Sequence, residues 1–459
     1  MGRMDGRMGV RSSELEHVML RDETVTDGSE AGWRAGRRAM SGMQNTLIGC
    51  ALLALGSLVF YAEQHSIKRE LSLGRRRRRL RSKDNEAPFI ESPAEVLSRR
   101  KERQQNASEL FRFALVTDTH VWPAAAGRND FTSRSDASPI RDGLLVRHSP
   151  QIYSAMLQEL GRFAAGGGAF AVHAGDAVCG GNNFHSPANE YERALRMLAE
   201  EERAILGRWP IHHVAGNHDL HPKLGGLSAW QRELGNQTGA PRPDVAYRSL
   251  RHRGWRILLL DTASAVHFDT DGHGLVDAAQ LGWLQAELDA SAAGGERVLL
   301  VGHQLLVQPR EPSGAVVSWL EVPVDMVENA NQVLNLLSRY PHVRLSLHGH
   351  VHANSLTTYG GIAFVTTSSA SEYPMQWREV IVRECEIEMR TRTLPVASET
   401  LAMSRQREAG RGDPDERNRA KLGGVLENHL LLSVCTPTER EQRENAPRPR
   451  RRLARRRER

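Results

Sequence analysis

Between Leu110 and Val396 the chain alternates short apolar runs with longer stretches whose apolar residues recur every three or four positions. The runs are Phe111 to Thr117, Ala169 to Ala174, Ile211 to Ala215, Arg256 to Leu260, Arg297 to Val301 and Val343 to Leu347. Such short uninterrupted runs, flanked by turn-forming residues, predict strands covered on both faces. Between them, Ile152 to Ala164 places Ile152, Met156, Leu157 and Leu160 on one helical face, and Tyr191 to Leu206 repeats the pattern. Strands alternating with helices predict an α/β domain. Past Val396 the pattern fades, and Val425 to Val434 is an apolar patch expected to form a single helix in a polar tail.

The flanks read differently. Residues 1–45 mix Arg, Gly, Ser, Asp and Glu without periodicity and are expected to be disordered. Thr46 to Ala62, TLIGCALLALGSLVFYA, carries no charge. At ~1.5 Å per residue it nearly spans a hydrocarbon core, so a membrane anchor is expected. A cleaved targeting segment and a buried helix are the alternatives. Residues 63–109 form a basic linker, 110–396 the globular domain, and 397–459 a basic tail of low order. Lys68, Arg69, Arg75 to Arg79, Arg81 and Lys83 follow the apolar segment, and positive-inside bias then places the domain on the cytosolic side. The sequons Asn106-Ala-Ser and Asn236-Gln-Thr would report the opposite placement if glycosylated.

Composition narrows the classes. With 40% hydrophobic residues in 459, a wholly disordered chain is excluded. Cys50, Cys179, Cys385 and Cys435 are too few for a disulfide scaffold, and no CxxC pair offers a thiolate zinc site. The net charge of +6 invites a nucleic-acid partner, but its distribution does not support one. Residues 110–396 hold 25 basic and 30 acidic side chains, a balance of −5, whereas the flanks hold 36 and 25, a balance of +11. Those basic runs suit a solvated tail or an anionic membrane surface. Oligomeric state is left open.

Five strands end in polar clusters: Asp118-Thr119-His120, Gly175-Asp176, Gly216-Asn217-His218-Asp219, Gly302-His303 and Gly349-His350-Val351-His352. In open α/β sheets ligands bind beyond the carboxyl ends of strands, so these clusters are expected to converge. An HxH pair on a strand would turn both imidazoles to one face. Two carboxylates, one amide oxygen and four imidazoles, without thiolate, suit Mn²⁺, Fe²⁺/Fe³⁺, Zn²⁺ or Co²⁺. Seven ligands exceed one tetrahedral ion and match two divalent ions sharing a carboxylate. Two such ions clamp the oxygens of an in-line displacement and lower the pKa of a bridging water.

The series DTH, GD, GNHD, GH and GHVH, in this order over residues 110–396, resembles the calcineurin-like metallophosphoesterases. The resemblance implies a four-layer α-β-β-α sandwich, two mixed sheets flanked by helices, around a dinuclear centre. It implies that Asp118, His120 and His352 bind the first ion, that Asp176 bridges, and that Asn217, His303 and His350 hold the second. It implies that His218 contacts substrate phosphate and donates a proton to the leaving oxygen. Asp219 either orients a neighbouring histidine or caps the following turn. The fourth motif departs from the His-His-Pro of many relatives, reading His303-Gln304-Leu305. The GDxxDRG pattern of protein phosphatases is absent, which argues against phosphoprotein substrates.

Gly274 to Leu288 resembles the helix of the branch that holds class III cyclic-nucleotide phosphodiesterases and ADP-ribose/CDP-alcohol diphosphatases, with Gln280 and Trp283 expected to pack. Ser371-Glu372-Tyr373-Pro374 and Trp377-Arg378-Glu379 look like the same branch. The expected function is therefore hydrolysis of small phosphodiesters or nucleotide pyrophosphates. A phosphomonoesterase is the alternative enzyme, and an inactive membrane-tethered scaffold the alternative class. Arg128, Arg134, Arg141 and Arg147 in the insert after the first motif, and Asn182, Asn183 and His185 after the second, are candidates to line the pocket.

Overall fold

The computed structural model describes residues 109–435 apart from 123–144, 146–147, 180–187, 221–226, 236–244, 264–273, 311–325, 408–417 and 420. The apolar runs are strands: β1 (Glu109–Val116), β2 (Phe170–His173), β3 (Ile211–His213), β5 (Trp255–Leu259), β6 (Arg297–Val301) and β7 (Val343–His348). To these are added β4 (Arg248–His252), β8 (Ser355–Tyr359), β9 (Ile362–Thr366), β10 (Gln376–Arg383), β11 (Glu386–Thr393) and β12 (His429–Ser433). One six-stranded sheet runs β12-β11-β10-β1-β2-β3 and the other β4-β5-β6-β7-β9-β8. Both are mixed: β1, β2 and β3 are parallel neighbours, as are β5, β6, β7 and β9, while the remaining pairs are antiparallel.

Period-two alternation explains the layering. Phe113 and Leu115 of β1 meet Ile257 and Leu259 of β5 and Leu299 and Val301 of β6 in one buried cluster between the sheets. Their neighbours Ala114 and Val116 turn outward beneath α1 (Ser149–Ala165) and α2 (Ala188–Leu206). On the far side, Leu258, Leu260, Val298 and Leu300 pack under α3 (Ala278–Gly294) and α4 (Ala330–Leu337). The architecture is thus helix, sheet, sheet, helix. Proline in its first turn starts α1, which buries Ile152, Met156, Leu157, Leu160 and Phe163 along one stripe. Asp277 caps α3 by accepting from the Gln280 amide, and Gly295 ends it in the left-handed conformation at φ 64°. Within α3, the Gln280 side chain grips the main chain of Asp261 at the end of β5, donating to its carbonyl at 2.7 Å and accepting from its amide at 2.8 Å.

Order continues past Val396. A further helix, α5 (Ser398–Arg407), follows β11, and a short turn of helix, α6 (Val425–Asn428), leads into β12. The patch expected to be one helix is mostly strand. Leu430 faces Met389 of β11, and Leu430, Leu432 and Val434 complete the core between the sheets. A non-local partner therefore overrides what the isolated segment suggests. Cys385 and Cys435 form a disulfide across this junction. Among the described residues no helix is long and apolar enough to cross a membrane; the expected anchor, Thr46 to Ala62, lies outside them.

Candidate metal centre

The loops that follow β1, β2, β3, β6 and β7 carry the five polar clusters to the carboxyl ends of the parallel strands. Hydrogen bonds stitch the loops together. The Asp118 amide donates to the Gly175 carbonyl, the His120 amide to the Asp176 carbonyl, and the Gly349 amide to the His303 carbonyl, at 3.0, 3.0 and 3.3 Å. Five clustered residues have left-handed backbones: Asp118, His120, Asp176, His350 and His352, with φ between 44° and 69°. Each such non-glycine residue costs about 1–2 kcal/mol, so the surrounding loops over-determine these conformations. Close approach requires glycine at Gly175 and Gly216, among others. A Cβ on Gly175, itself at φ 95°, would lie 2.4 Å from the His303 ring, and one on Gly216 would lie 2.2 Å from Asp176 Oδ1.

Three groups of side chains could hold a metal: Asp118 with His120 and His352, Asp176 with His303 and His350, and Cys179 with His120 and His218. In the first, His120 Nε2 and His352 Nε2 are 3.2 Å apart, and His352 Nε2 is 3.2 Å from Asp118 Oδ1. In the second, His303 Nε2 is 3.1 Å from Asp176 Oδ2 and 3.2 Å from His350 Nδ1. Asp176 Oδ2 also lies 3.7 Å from His120 Nε2, so it faces both of these groups. Metal–nitrogen bonds near 2.1 Å put neighbouring ligand atoms about 3.0–3.4 Å apart; the distances just given match, and His120 Nε2 to Asp118 Oδ1 is longer at 3.8 Å. Asn217 Oδ1 is buried with no hydrogen-bond donor among the described residues, as an oxygen reserved for a cation would be. The residues fit a divalent metal pair.

Burial opposes the His303 cation, but Asp176 and Asp118 carry its pKa up to about 9. Burial likewise opposes the His352 cation, and Asp118 and Glu372 hold it well above the ordinary histidine range. Burial favours a neutral Asp118 carboxyl, yet His352 and His303 bring it down to about 2. His120 is pushed down to about 3 by burial.

His218 stands on the turn after β3. Its amide donates to Asp176 Oδ1 at 2.8 Å, and its ring meets that of His120 edge-on at 4.9 Å. The side-chain oxygens of Asp219 accept the amides of Val178 and Gly216 at 3.0 and 2.9 Å. It caps and braces the turn, which is the second of the two roles expected for it. The HxH expectation is corrected as well. Strand β7 ends at His348, and His350 and His352 lie beyond it with left-handed backbones rather than on one strand face; they fall in the two different groups that the resemblance implies. His348 stays on the strand, sharing hydrogen bonds with Ser346 Oγ and the Gln304 carbonyl. Arg128, Arg134, Arg141, Arg147, Asn182, Asn183 and His185 lie outside the described residues.

Several supporting groups had no role assigned from sequence. Ser369 and Ser371 both donate to the Asp118 carbonyl, at 2.7 and 2.9 Å. Thr117 Oγ1 donates to Asp118 Oδ2 at 2.6 Å. The Nδ1 of His352 donates to Glu372, which Lys421 pairs from the C-terminal segment. Cys179 is buried near His120 and His218. One signal was available: Thr366 to Glu372 is a run of small polar residues after an apolar strand, and nearly all of it is buried.

The sequence profile of the calcineurin-like phosphoesterases matches residues 111–354. Over 162 residues the chain is 32% identical to a 3',5'-cyclic adenosine monophosphate phosphodiesterase of Escherichia coli (strain K12), covering 35% of this chain and 50% of that protein. It is 34% identical over 181 residues to a cAMP/cGMP dual specificity phosphodiesterase of Mycobacterium tuberculosis, covering 39% and 49%. It is 26% identical over 216 residues to a manganese-dependent ADP-ribose/CDP-alcohol diphosphatase of Arabidopsis thaliana, covering 40% and 64%. The chain thus spans about half the length of the first two. Fold, strand-end clusters and profile agree: the chain belongs to the calcineurin-like phosphoesterase family.

Proposed function

We propose that the chain is a metal-dependent phosphoester hydrolase with a dinuclear centre, acting on small phosphodiesters or nucleotide pyrophosphates. The observation that carries this reading is the pair of ligand groups facing each other across Asp176 Oδ2. Asp118, His120 and His352 would hold one ion, and Asn217, His303 and His350 the other, with Asp176 shared. When bound, two divalent ions supply Lewis acidity at phosphorus and lower the pKa of water. The oxygen and nitrogen donors suit Mn²⁺, Fe²⁺/Fe³⁺, Zn²⁺ or Co²⁺.

The chain's own residues do the rest. His218, held over the site by Asp176, is the group that reaches the substrate phosphate and gives a proton to the leaving oxygen. Burial keeps its pKa below the ordinary histidine range in the free site, and the negative charge of a bound substrate phosphate would act in the opposite direction. Thr117, Ser369 and Ser371 fix Asp118, and Asp219 fixes the turn that carries Asn217 and His218. The names of the relatives, a cyclic-nucleotide phosphodiesterase and a diphosphatase, support a diester or pyrophosphate rather than a monoester. We also propose that Thr46 to Ala62 tethers the enzyme to a membrane, on the strength of its uncharged length.

The full chain, loaded with Mn²⁺, is tested on bis-p-nitrophenyl phosphate, cAMP, ADP-ribose, CDP-alcohols and p-nitrophenyl phosphate. Turnover of one or more diesters or pyrophosphates is expected to exceed that of the monoester. His218→Ala is expected to retain metal and slow turnover by about 10²–10⁴-fold. Hydrolysis of the monoester alone would move the reading to a phosphomonoesterase, and no hydrolysis at all would favour a scaffold.

A further inference from the structure

Lys421 is only 2% exposed, an unusual place for a lysine unless it is paired. Its Nζ lies 2.5 Å from Glu372 Oε1, and the other oxygen of Glu372, itself 1% exposed, accepts from His352 Nδ1. The result is a buried chain from a cation to a carboxylate to an imidazole whose far nitrogen, Nε2, faces Asp118 at 3.2 Å. The backbone of this segment is fastened beside the same loop. The Asn354 amide and Nδ2 donate to the Lys421 carbonyl at 3.1 and 3.2 Å, and Asn354 Oδ1 accepts from Arg378 at 2.8 Å. Arg378 also donates to the Glu427 carbonyl, which ties α6 to the same point. The other metal-type histidine with a clear anchor, His303, uses the neutral Ala174 carbonyl at 2.8 Å. The carboxylate anchor is thus matched with its own cation. Glu372 and Lys421 both lie beyond residue 354, where the family match ends.

We propose that Lys421 is a positioning residue for the metal centre. Its ammonium holds Glu372 in place, and Glu372 holds His352 as the Nδ1–H tautomer with Nε2 directed at the first ion site. A carboxylate partner of this kind sets ring orientation and ligand basicity. Without the lysine, a buried carboxylate left without its cation would turn away, and His352 would lose its orientation. The C-terminal segment therefore belongs to the metal site, although it is far from the motifs in sequence. The proposal rests on the dinuclear reading above.

The test compares the full chain with Lys421→Met, Lys421→Arg and the double variant Lys421→Met/Glu372→Gln. Calorimetric titration with Mn²⁺ follows both ions, and the visible spectrum of the Co²⁺ form reports the His352 environment. Lys421→Met is expected to weaken one of the two ions by about 10- to 100-fold and leave the other nearly unchanged, with an altered Co²⁺ spectrum. Lys421→Arg is expected to restore most of that loss. Should Lys421→Met show no cooperative melting transition when metal-free, the double variant, which buries no net charge, carries the same expectation. Two ions bound with wild-type affinities, or two affinities weakened equally without rescue by arginine, would overturn the proposal alone. A wild-type chain that binds no divalent ion would overturn the dinuclear reading and this proposal with it.

Discussion

Replacing Cys385 and Cys435 by serine removes a cross-link between residues 50 apart in sequence. Chain-entropy arguments put the stabilisation from closing a loop of that length at about 4 kcal/mol, an upper figure because denatured chains are not random. Strand β12 remains favoured without it. Leu430, Leu432 and Val434 are almost wholly buried, and each contributes roughly 1.5–3 kcal/mol. The variant is therefore expected to fold, with its C-terminal strand detaching more often. A change of about 4 kcal/mol in that opening is close to 10³-fold in exchange rate. Hydrogen exchange read by mass spectrometry over residues 425–435, with and without reductant, measures it directly. Faster exchange confined to β12 and its partner β11 is expected in the reduced protein and in the double serine variant. Unchanged protection on reduction would refute the reasoning, as would two free thiols at these positions in the native chain.

Three further outcomes are expected. Metal loading near pH 7 should release about two protons, because His303 and His352 are protonated in the metal-free site and must be neutral to ligate. Buffers of different ionisation enthalpy read this by calorimetry, and a buffer-independent heat would contradict it. The sign for the metal-free fold follows from the raised values: these two cations stabilise it at low pH, and the His303 contribution is lost as pH rises through about 9. Gly216→Ala should displace Asp176 and lower metal affinity by more than tenfold, with about 1–3 kcal/mol lost in denaturant unfolding; wild-type affinity would sink the close-packing argument. Finally, the loop charges would favour a cytosolic domain, whereas a persistent disulfide would favour an oxidising compartment. We expect the disulfide to prevail, so thiol-blocked protein from cells should show Cys385 and Cys435 bonded and a glycosidase-sensitive shift; free thiols without a shift would restore the cytosolic placement.

Much of this was legible in the chain because local rules govern it. Strands β5, β6 and β7 are buried on both faces and therefore announce themselves as apolar runs. Metal-type residues fall at strand ends because parallel sheets expose only those ends to a ligand. What escaped depends on partners distant in sequence. Strand β12 is a strand because β11 is beside it, and Lys421 reads as one more cation in a polar tail until Glu372 is seen next to it. Strand periodicity missed that His350 and His352 lie beyond the strand with left-handed backbones; their division between the two groups was legible only through the resemblance. Asp219 was ambiguous for a similar reason: a carboxylate in a GNHD turn serves amides as well as imidazoles, and the amide of Val178, distant in sequence, is one of those it accepts.

The central claim is that two divalent ions share Asp176. Anomalous diffraction from crystals of the Mn²⁺-loaded chain tests it most directly. Two peaks are predicted, one against Asp118, His120 and His352 and the other against Asn217, His303 and His350, both in contact with Asp176. A single peak, or peaks away from Asp176, would contradict the account.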